Sequence, residues 1–526
     1  MATKTKSRKS QQPKARYIGK PAGTIQERVQ LVGPEHFGVV SVDCAKRRSK
    51  WMLCDFYGKV IIEPTTVEHN AGALKAMTTL IADKLTIAGI TDSIVAVEMT
   101  GVYHRPVQRA FRQAGFDTRT VHPFESKHFR RPLHPNSKTD DHDLEAIFHA
   151  AIKGYGLATL PVDETYQALQ ATSRHRRNLV KQRARLQIQI RCLLHQSMPG
   201  FADLFEDDKL FNNSIAMPIA LRFSSADQIR TAGIDGIAAY LKEQKIRFQP
   251  RTIERIFAWS STAVEPSSLL MMLSDQWKQL DEVRKILSRQ IEAVEQEMAK
   301  FLVKTPYVLL MSVTGINVVS AAGFAGEAGP IEHYATARAI TGRAGLFPTR
   351  YQSDQVDHAD GAVARTCNRR LRAAAILIAK NLTKCHPYYR GLAALMASQK
   401  VTPLDRQCRI ANRAMRMVFQ IVSGRQVWRG KGVNQEYILE KLREFHSVHS
   451  TPFDVVIRQL HEIVQWLPKS TYASEAKPIQ EFASKKHRGP ILIGDLLIPV
   501  LIRLGVVAPE VPEEVQLDSS EARGPE

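Results

Sequence analysis

The apolar positions of this chain change period along its length, and the changes divide it. From His36 to Val42 they form a short unbroken run that ends at Asp43. Ser49 to Cys54 and Lys59 to Ile62 continue as short strands across turn signals at Tyr57-Gly58, and Ile94-Val95-Ala96-Val97 is a second apolar run, ending at Glu98 before the break at Thr100-Gly101. Asn70 to Ile87 and Arg105 to Ala114 carry helical patterning, and Thr118 to His122 reads as a further strand. Strands alternating with helices predict a compact α/β domain over residues 36–160. Its last helix opens at Asp140 to Asp143 and continues through Leu144, Ile147, Phe148 and Ala151 until Gly154 and Gly156 stop it.

Beyond residue 160 the period becomes helical. Thr165 to Gln196 predicts a long helix, with Leu179, Leu186 and Leu193 seven apart and Ile190 between them. Leu273, Trp277, Leu280, Leu287, Ile291, Val294, Met298 and Phe301 alternate spacings of three and four, broken only at Arg284. Such heptads predict coiled-coil helices, as a dimer or an antiparallel hairpin. Arg174, Arg176, Arg177, Lys181, Arg183 and Arg185 charge the first helix, and both a solvated and a nucleic-acid-facing role stand open. Pro199 to Pro266 reads as an inserted, mostly helical segment. From Thr305 a mostly α C-terminal domain is expected, in which Leu309 to Asn317 and the Ala/Gly-rich stretch after it look like a helix-hairpin-helix, a turn whose amides can grip phosphate. The expected division is therefore a basic disordered arm at 1–35, the α/β domain at 36–160, coiled-coil helices with their insertion at 161–304, a serine-bearing domain at 305–400, and an extension of unassigned role at 401–526.

Charge narrows the partners. The 526 residues carry a formal charge of +21, which points to a polyanion, and no apolar run approaches a membrane-spanning length. Met1 to Lys20 holds seven Lys and Arg and no acid, so it reads as a phosphate-contacting arm rather than a secretory signal. Cys44, Cys54, Cys192, Cys367, Cys385 and Cys408 are scattered without a CxxC pair, which argues against a zinc finger or disulfide scaffold and for a reducing cytoplasm. No GxxxxGK[ST] segment supports nucleotide hydrolysis.

The acids carry the chemistry. Asp43 and Glu98 end apolar runs, where open α/β sheets build ligand sites, and Asp140 and Asp143 share one face of a helix. Converging carboxylates suit hard divalent cations. Strand-end turn residues and first-turn helix acids are the plainer alternatives, and Asp141 competes for either role. A second constellation runs from Gly345 to Ser353, amid Arg338, Arg343, Arg350, Arg365, Arg369, Arg370 and Arg372. Guanidinium groups stabilise phosphoryl-transfer charge and bind nucleic acid, and a serine hydroxyl needs such help to act as a nucleophile. Tyr351 is a rival nucleophile, and Asp357-His358-Ala359-Asp360 is either a stray metal site or a solvated loop.

The chain resembles the DEDD-type transposases of the IS110 family of insertion sequences, relatives of the Piv and MooV DNA invertases. Val42-Asp43, Val97-Glu98-Met99-Thr100-Gly101-Val102-Tyr103 and Lys138-Thr139-Asp140-Asp141-His142-Asp143 fall on the acid motifs of their RuvC-like, ribonuclease-H-type domain. The family pattern Lys-Thr-Asp-x-x-Asp selects Asp140 and Asp143 over Asp141. Gly345-Leu346-x-Pro348 leads to Ser353 at the family's serine, and Asn368-x-x-Leu371-Arg372 matches the motif that follows. Asp354 and Cys367 depart from the pattern, each standing where the family usually has glycine. The resemblance implies a transposase that breaks and rejoins DNA at element ends and target. It implies magnesium held by Asp43, Glu98, Asp140 and Asp143, and attack by Ser353 to give a covalent protein–DNA intermediate. It also implies an element-encoded guide (bridge) RNA and a homodimer or homotetramer that joins one subunit's acids to another's serine, in a bacterial cytoplasm near the nucleoid. A Piv-like invertase, a RuvC-like structure-specific endonuclease and a non-catalytic nucleic-acid-binding protein are the alternatives.

Overall fold

A computed structural model describes residues 25–466 apart from 136, 159–162, 206–208, 265–268, 350, 354–355, 359–360, 362, 365–366 and 429–434. The chain divides into two units, residues 1–161 and 162–526.

The first unit begins with helix α1 (Ile25–Val32), then β1 (Phe37–Cys44), β2 (Arg48–Asp55), β3 (Val60–Glu68), α2 (Ala71–Ile87), β4 (Asp92–Glu98), α3 (His104–Gln113), β5 (Thr118–Val121), α4 (Pro123–Leu133), α5 (Asp140–Ile152) and β6 (Leu157–Ala158). The strands form one sheet in the order β3-β2-β1-β4-β5-β6. β1, β2 and β3 are an antiparallel meander, β4 and β5 run parallel to β1, and β6 is antiparallel to β5. A mixed sheet flanked by helices is compatible with the expected ribonuclease-H-like fold. Alternate residues of β1 and β4 enter two cores: Val40, Val42, Val95 and Val97 pack on α2 and α3, while Phe37, Val39, Ile94 and Ala96 pack on α5 and α1. The latter is the face of Asp43 and Glu98.

The expected arm at 1–35 is corrected at its end. Ile25 and Val29, one helical turn apart, are buried, and Arg28 bonds both Asp92 and Asp117 (2.5 Å to the latter), so this stretch is helix on the sheet. Residues 1–24 lie outside the described residues. α4 is a helix that the patterning does not predict.

The second unit opens with α6 (Glu164–Ser197), α7 (Ala216–Phe223), α8 (Ala226–Glu243), α9 (Pro250–Thr262) and α10 (Leu270–Leu302). α6 and α10 pair along their length as an antiparallel hairpin. Arg176 meets Glu295 at 2.5 Å, Arg183 donates to Ser288 at 3.3 Å, and Trp277 donates to Ser197 at 3.1 Å; later positions on α6 meet earlier ones on α10. The pairing of these helices with each other within one chain corresponds to the hairpin expected from the heptads. The insertion does fold as helices. It closes a core of its own around Phe201, Ile219, Ile237 and Ile256, into which Ile190, Leu194 and Trp277 of the long helices reach.

The rest comprises α11 (Val318–Ala328), α12 (Ala337–Ala344), a small hairpin β7 (Tyr351–Ser353) and β8 (Val356–His358), then α13 (Arg369–Cys385), α14 (Pro387–Ser398), α15 (Pro403–Ser423), α16 (Gln435–Val448) and α17 (Phe453–Val464). One core runs from Tyr166 and Leu302 through Leu309, Phe324 and Ile378 to Val418, Leu442 and Ile463. The boundary expected at residue 400 therefore does not fall between separate cores; α15, α16 and α17 complete the core of the preceding helices. The segment expected as a helix-hairpin-helix enters α11 from a 3-10 turn at Pro306–Ser312. Its Gly315 has φ 92° and lies so close to α13 that a Cβ would stand 2.9 Å from the Asn381 carbonyl. Asn317 takes the Ser320 amide, and Lys441 donates to the carbonyls of Met311, Val313 and Ile316. This turn is tied into the protein on both sides. Among the described residues, no helix is long and apolar enough to cross a membrane.

Candidate active site and basic surface

Three elements of the first unit bring the four predicted acids to one place. β1 and β4 are parallel neighbours with Val42 opposite Val97, so the next residues, Asp43 and Glu98, stand level at adjacent strand ends. Both side chains fall on the face covered by α5, because their odd–even partners do. Thr139 caps α5 by accepting from the His142 amide, and this fixes the start of the helix where Asp140 and Asp143 share a face. Asp140 is exposed and Asp143 buried.

The electrostatics follow from that convergence. Burial, then the charges of Glu98, Asp143 and Asp140, push the Asp43 carboxyl up to about 7, and it shares a hydrogen bond with Glu98. Such crowding of carboxylates disfavours the charged form of Asp43. Even so, among the described residues no three His, Cys, Asp or Glu side chains are arranged so as to hold a metal ion. The two facts are reconciled by the hydrogen bonds: the backbone gathers the acids, but several side chains are engaged by protein partners. Ser126 donates to Glu98 Oε1, Arg130 Nη1 meets Asp143 Oδ1 at 2.5 Å, and Lys50 Nζ meets Asp141 Oδ1 at 2.6 Å. Asp141, which the motif skips, is thus the ion-pair partner of Lys50, itself the cross-strand neighbour of Asp43. An all-carboxylate oxygen set suits a hard divalent cation, and Asp43, Glu98, Asp140 and Asp143 are the residues that could hold it.

In the second unit, Ser353 closes β7 opposite Val356, with Tyr351 opposite His358 and Gln352 opposite Asp357. The base of this hairpin is a built scaffold. Gly345 ends α12 in the left-handed region (φ 62°), where a Cβ would meet Arg372 Nη2 at 2.5 Å and Cys367 Cβ at 2.7 Å. Asn368 caps α13, accepting from the amides of Arg370 and Leu371, and its own amide donates to the Arg343 carbonyl. Leu371 is fully buried, and Arg372 donates to the carbonyls of Ala344 and Ala364 and to Cys367 Sγ. The motif residues around the serine therefore shape its loop. Cys367 is not among the residues with positive φ, so its backbone conformation does not require glycine.

The seven arginines separate by role. Arg372 is committed to carbonyls, and Arg343 donates to the Ala328 carbonyl and the Tyr334 hydroxyl. Arg338, Arg369 and Arg370 are exposed, and among the described residues none has an ion-pair partner. Arg369 and Arg370 stand in the first turn of α13, where they oppose its macrodipole. Arg350, Arg365, Asp354 and Asp360 lie outside the described residues. On α6, Arg174 pairs with buried Glu327 at 2.8 Å and Arg176 with Glu295, so part of that basic face holds helices together.

Sequence reasoning missed two features. Ser126 and Arg130 sit on unpredicted α4, whose flanking prolines read as loop. Arg406, Arg409, Arg413 and Arg416 follow one another at spacings of three, four and three on α15, a signal legible in the sequence. Cys408, Ala411, Met415 and Val418 bury the opposite face, Arg409, Arg413 and Arg416 are exposed, and Arg413 lies over the half-exposed ring of Tyr388, 5.4 Å from its centroid.

Residues 40–199 match a family model described as a transposase, of the DEDD IS110 type, and this span includes all four acids. Residues 307–393 match that of the IS116/IS110/IS902 family of transposases, a span that includes Ser353 and ends before α15. No curated protein matches the chain.

Proposed function

Because the chain belongs to the IS110 family of transposases, we propose that it breaks and rejoins DNA strands with two sets of groups, a magnesium-binding acidic site and the hydroxyl of Ser353. The observation that carries the proposal is the register of β1 against β4 beside the start of α5, which draws four carboxylates together at a cost that folding alone does not require. A ribonuclease-H-like, RuvC-like domain is the fold reading that suits the strand order.

Asp43, Glu98, Asp140 and Asp143 would hold the ion, which supplies Lewis-acid polarisation of a phosphate oxygen when bound. The chain's own residues do the rest. Asp43, whose carboxyl is held protonated toward neutrality by burial and its acidic neighbours, gives up that proton when an ion takes the proton's place. Ser353, presented on a hairpin whose base is fixed by Gly345, Asn368 and Arg372, attacks phosphorus through Oγ. One phosphoester bond forms as another breaks, the hydroxyl proton passes to a base, and the departing strand end leaves as a hydroxyl. The bond energy stays in the protein–DNA link, so rejoining needs no nucleotide hydrolysis. Arg338, Arg369 and Arg370 suit backbone phosphates, with Arg409, Arg413 and Arg416 of α15 extending the basic surface. A guide RNA, in keeping with the net charge, and a homo-oligomeric assembly complete the reading.

The test is a cleavage assay on element-end DNA in magnesium, resolved under denaturing conditions so that protein-linked DNA is seen. Wild type is expected to give a protein–DNA adduct. Ser353→Ala is expected to lose both adduct and cleavage while binding DNA, and Asp140→Asn to lose cleavage. Full-rate nicking by Ser353→Ala with no adduct in wild type would identify a water-activating nuclease instead.

A further inference from the structure

The four acids do not stand alone. α4 lies against them and presents Ser126 and Arg130 four residues apart, hence on one helical face. Ser126, 2% exposed, donates to Glu98 Oε1, and Arg130 meets Asp143 Oδ1 at 2.5 Å with both side chains largely buried, 15% and 12% exposed. The helix is firmly started: Pro123 occupies its first turn, His122 accepts from the Phe124 amide, and Glu125 accepts from the His122 amide. One short, well-capped helix therefore delivers a hydroxyl to one acid and a guanidinium to another.

A guanidinium on a mostly buried carboxylate is a strong, charge-assisted contact, and it occupies an oxygen that a cation would otherwise use. We propose that Arg130 is a resident counter-ion of the acidic site, competing with the divalent ion for Asp143 and leaving that carboxylate when the ion binds. The proposal builds on the reading of the acids as ion ligands. Arg130 stands in for the ion's charge, keeping Asp143 compensated in a place where Asp43, Glu98 and Asp140 already crowd one another. Ser126 does not compete in this way: it is neutral, uses only one of Glu98's oxygens, and holds that carboxylate in orientation. Arg130 is thus a positioning residue whose removal has opposite consequences with and without the ion.

Those opposite signs make the test. Manganese binding to the full-length protein would be titrated by electron paramagnetic resonance, and melting temperature recorded with chelator and with saturating manganese, for wild type, Arg130→Gln, Arg130→Lys and Asp140→Asn. Removing the competitor leaves Asp143 buried and uncompensated, so Arg130→Gln is expected to bind manganese about tenfold more tightly. It should melt below wild type in chelator and regain wild-type stability in manganese. Arg130→Lys, a cation without the planar fork, is expected between the two. Equal or weaker manganese binding by Arg130→Gln, or a melting deficit that manganese does not repair, would show that Arg130 is structural only and overturn the proposal. If Arg130→Gln is unfolded in chelator, refolding on adding manganese supports the competition and failure to refold refutes it. Wild type and Asp140→Asn both failing to bind manganese would instead overturn the ion-site reading itself, an outcome distinct from the loss of the Arg130 effect.

Discussion

Asp43→Asn should make the protein inactive and, in the absence of divalent ions, more stable. Burial and three neighbouring carboxylates raise the folded-state carboxyl from 3.8 to about 7. The folded protein then keeps a proton that the unfolded chain has released, so between those two values the folded state binds more protons. By linkage its stability falls as pH rises through that window, and the penalty is fully present above pH 7. Taken whole, the gap corresponds to about 4 kcal/mol at most. Asp43 is only partly buried and shares its proton with Glu98, so solvent screening and coupling reduce this to about 2 kcal/mol. For a unit of this size, that is a rise of about 4–8 °C in melting temperature for Asp43→Asn at pH 8 in chelator. The assay is thermal unfolding of wild type and variant at pH 5, 6, 7 and 8, each with chelator and with excess magnesium. Wild type should lose stability from pH 5 to 8 in chelator and recover it in magnesium, more so at higher pH, because the ion displaces the proton. The variant should be flatter in pH and less responsive to magnesium. An Asp43→Asn variant less stable than wild type at pH 8 in chelator, or a wild type insensitive to pH across this range, would refute the electrostatic account.

Two further outcomes test the second unit. A Cβ at Gly326 would stand 2.6 Å from the Gln170 amide nitrogen and 2.7 Å from the Leu169 carbonyl carbon, so Gly326→Ala must push α11 off α6 and should cost about 1–3 kcal/mol, read as a shifted urea midpoint. An unchanged midpoint would mean that the two helices can separate without loss. Replacing Arg409, Arg413 and Arg416 together by Gln should weaken duplex binding and make the log–log salt slope shallower by about 0.9 for each phosphate no longer neutralised, at unchanged melting temperature; an unaltered slope would remove α15 from the nucleic-acid surface.

The sheet and the acids were legible because their signals are local. An apolar strand that ends in a carboxylate states its burial and where the acid stands, and Asp43 and Glu98 stand side by side at the ends of β1 and β4. The long helices were legible from heptad spacing, but their pairing within one chain depends on contacts such as Arg176 with Glu295, far apart in sequence. Other features were hidden for physical reasons. α4 carries Pro123 and Pro132 at its two ends, so composition reads as loop what capping turns into helix. Arg372 looked like a phosphate ligand because a charge in a sequence does not reveal that nearby carbonyls already satisfy it. The arm ends earlier than the pattern predicts, because two apolar residues one turn apart, Ile25 and Val29, are too few to mark a helix without the sheet that buries them. The shared core of α15, α16 and α17 with the helices before them is a long-range fact with no local signature.

The hairpin of α6 and α10 also has a mechanical consequence. At 1.5 Å per residue its 33-residue arm spans about 50 Å. One core grips its root through Tyr166, Leu169, Met298 and Leu302, and another grips its tip through Ile190, Leu194 and Trp277. Between them the helices hold each other with few fully buried side chains and with polar bridges such as Arg183 to Ser288. Among the described residues, the core at the tip is thus joined to the core at the root only through the two long helices. A force or ligand applied there would be transmitted along a stiff rod.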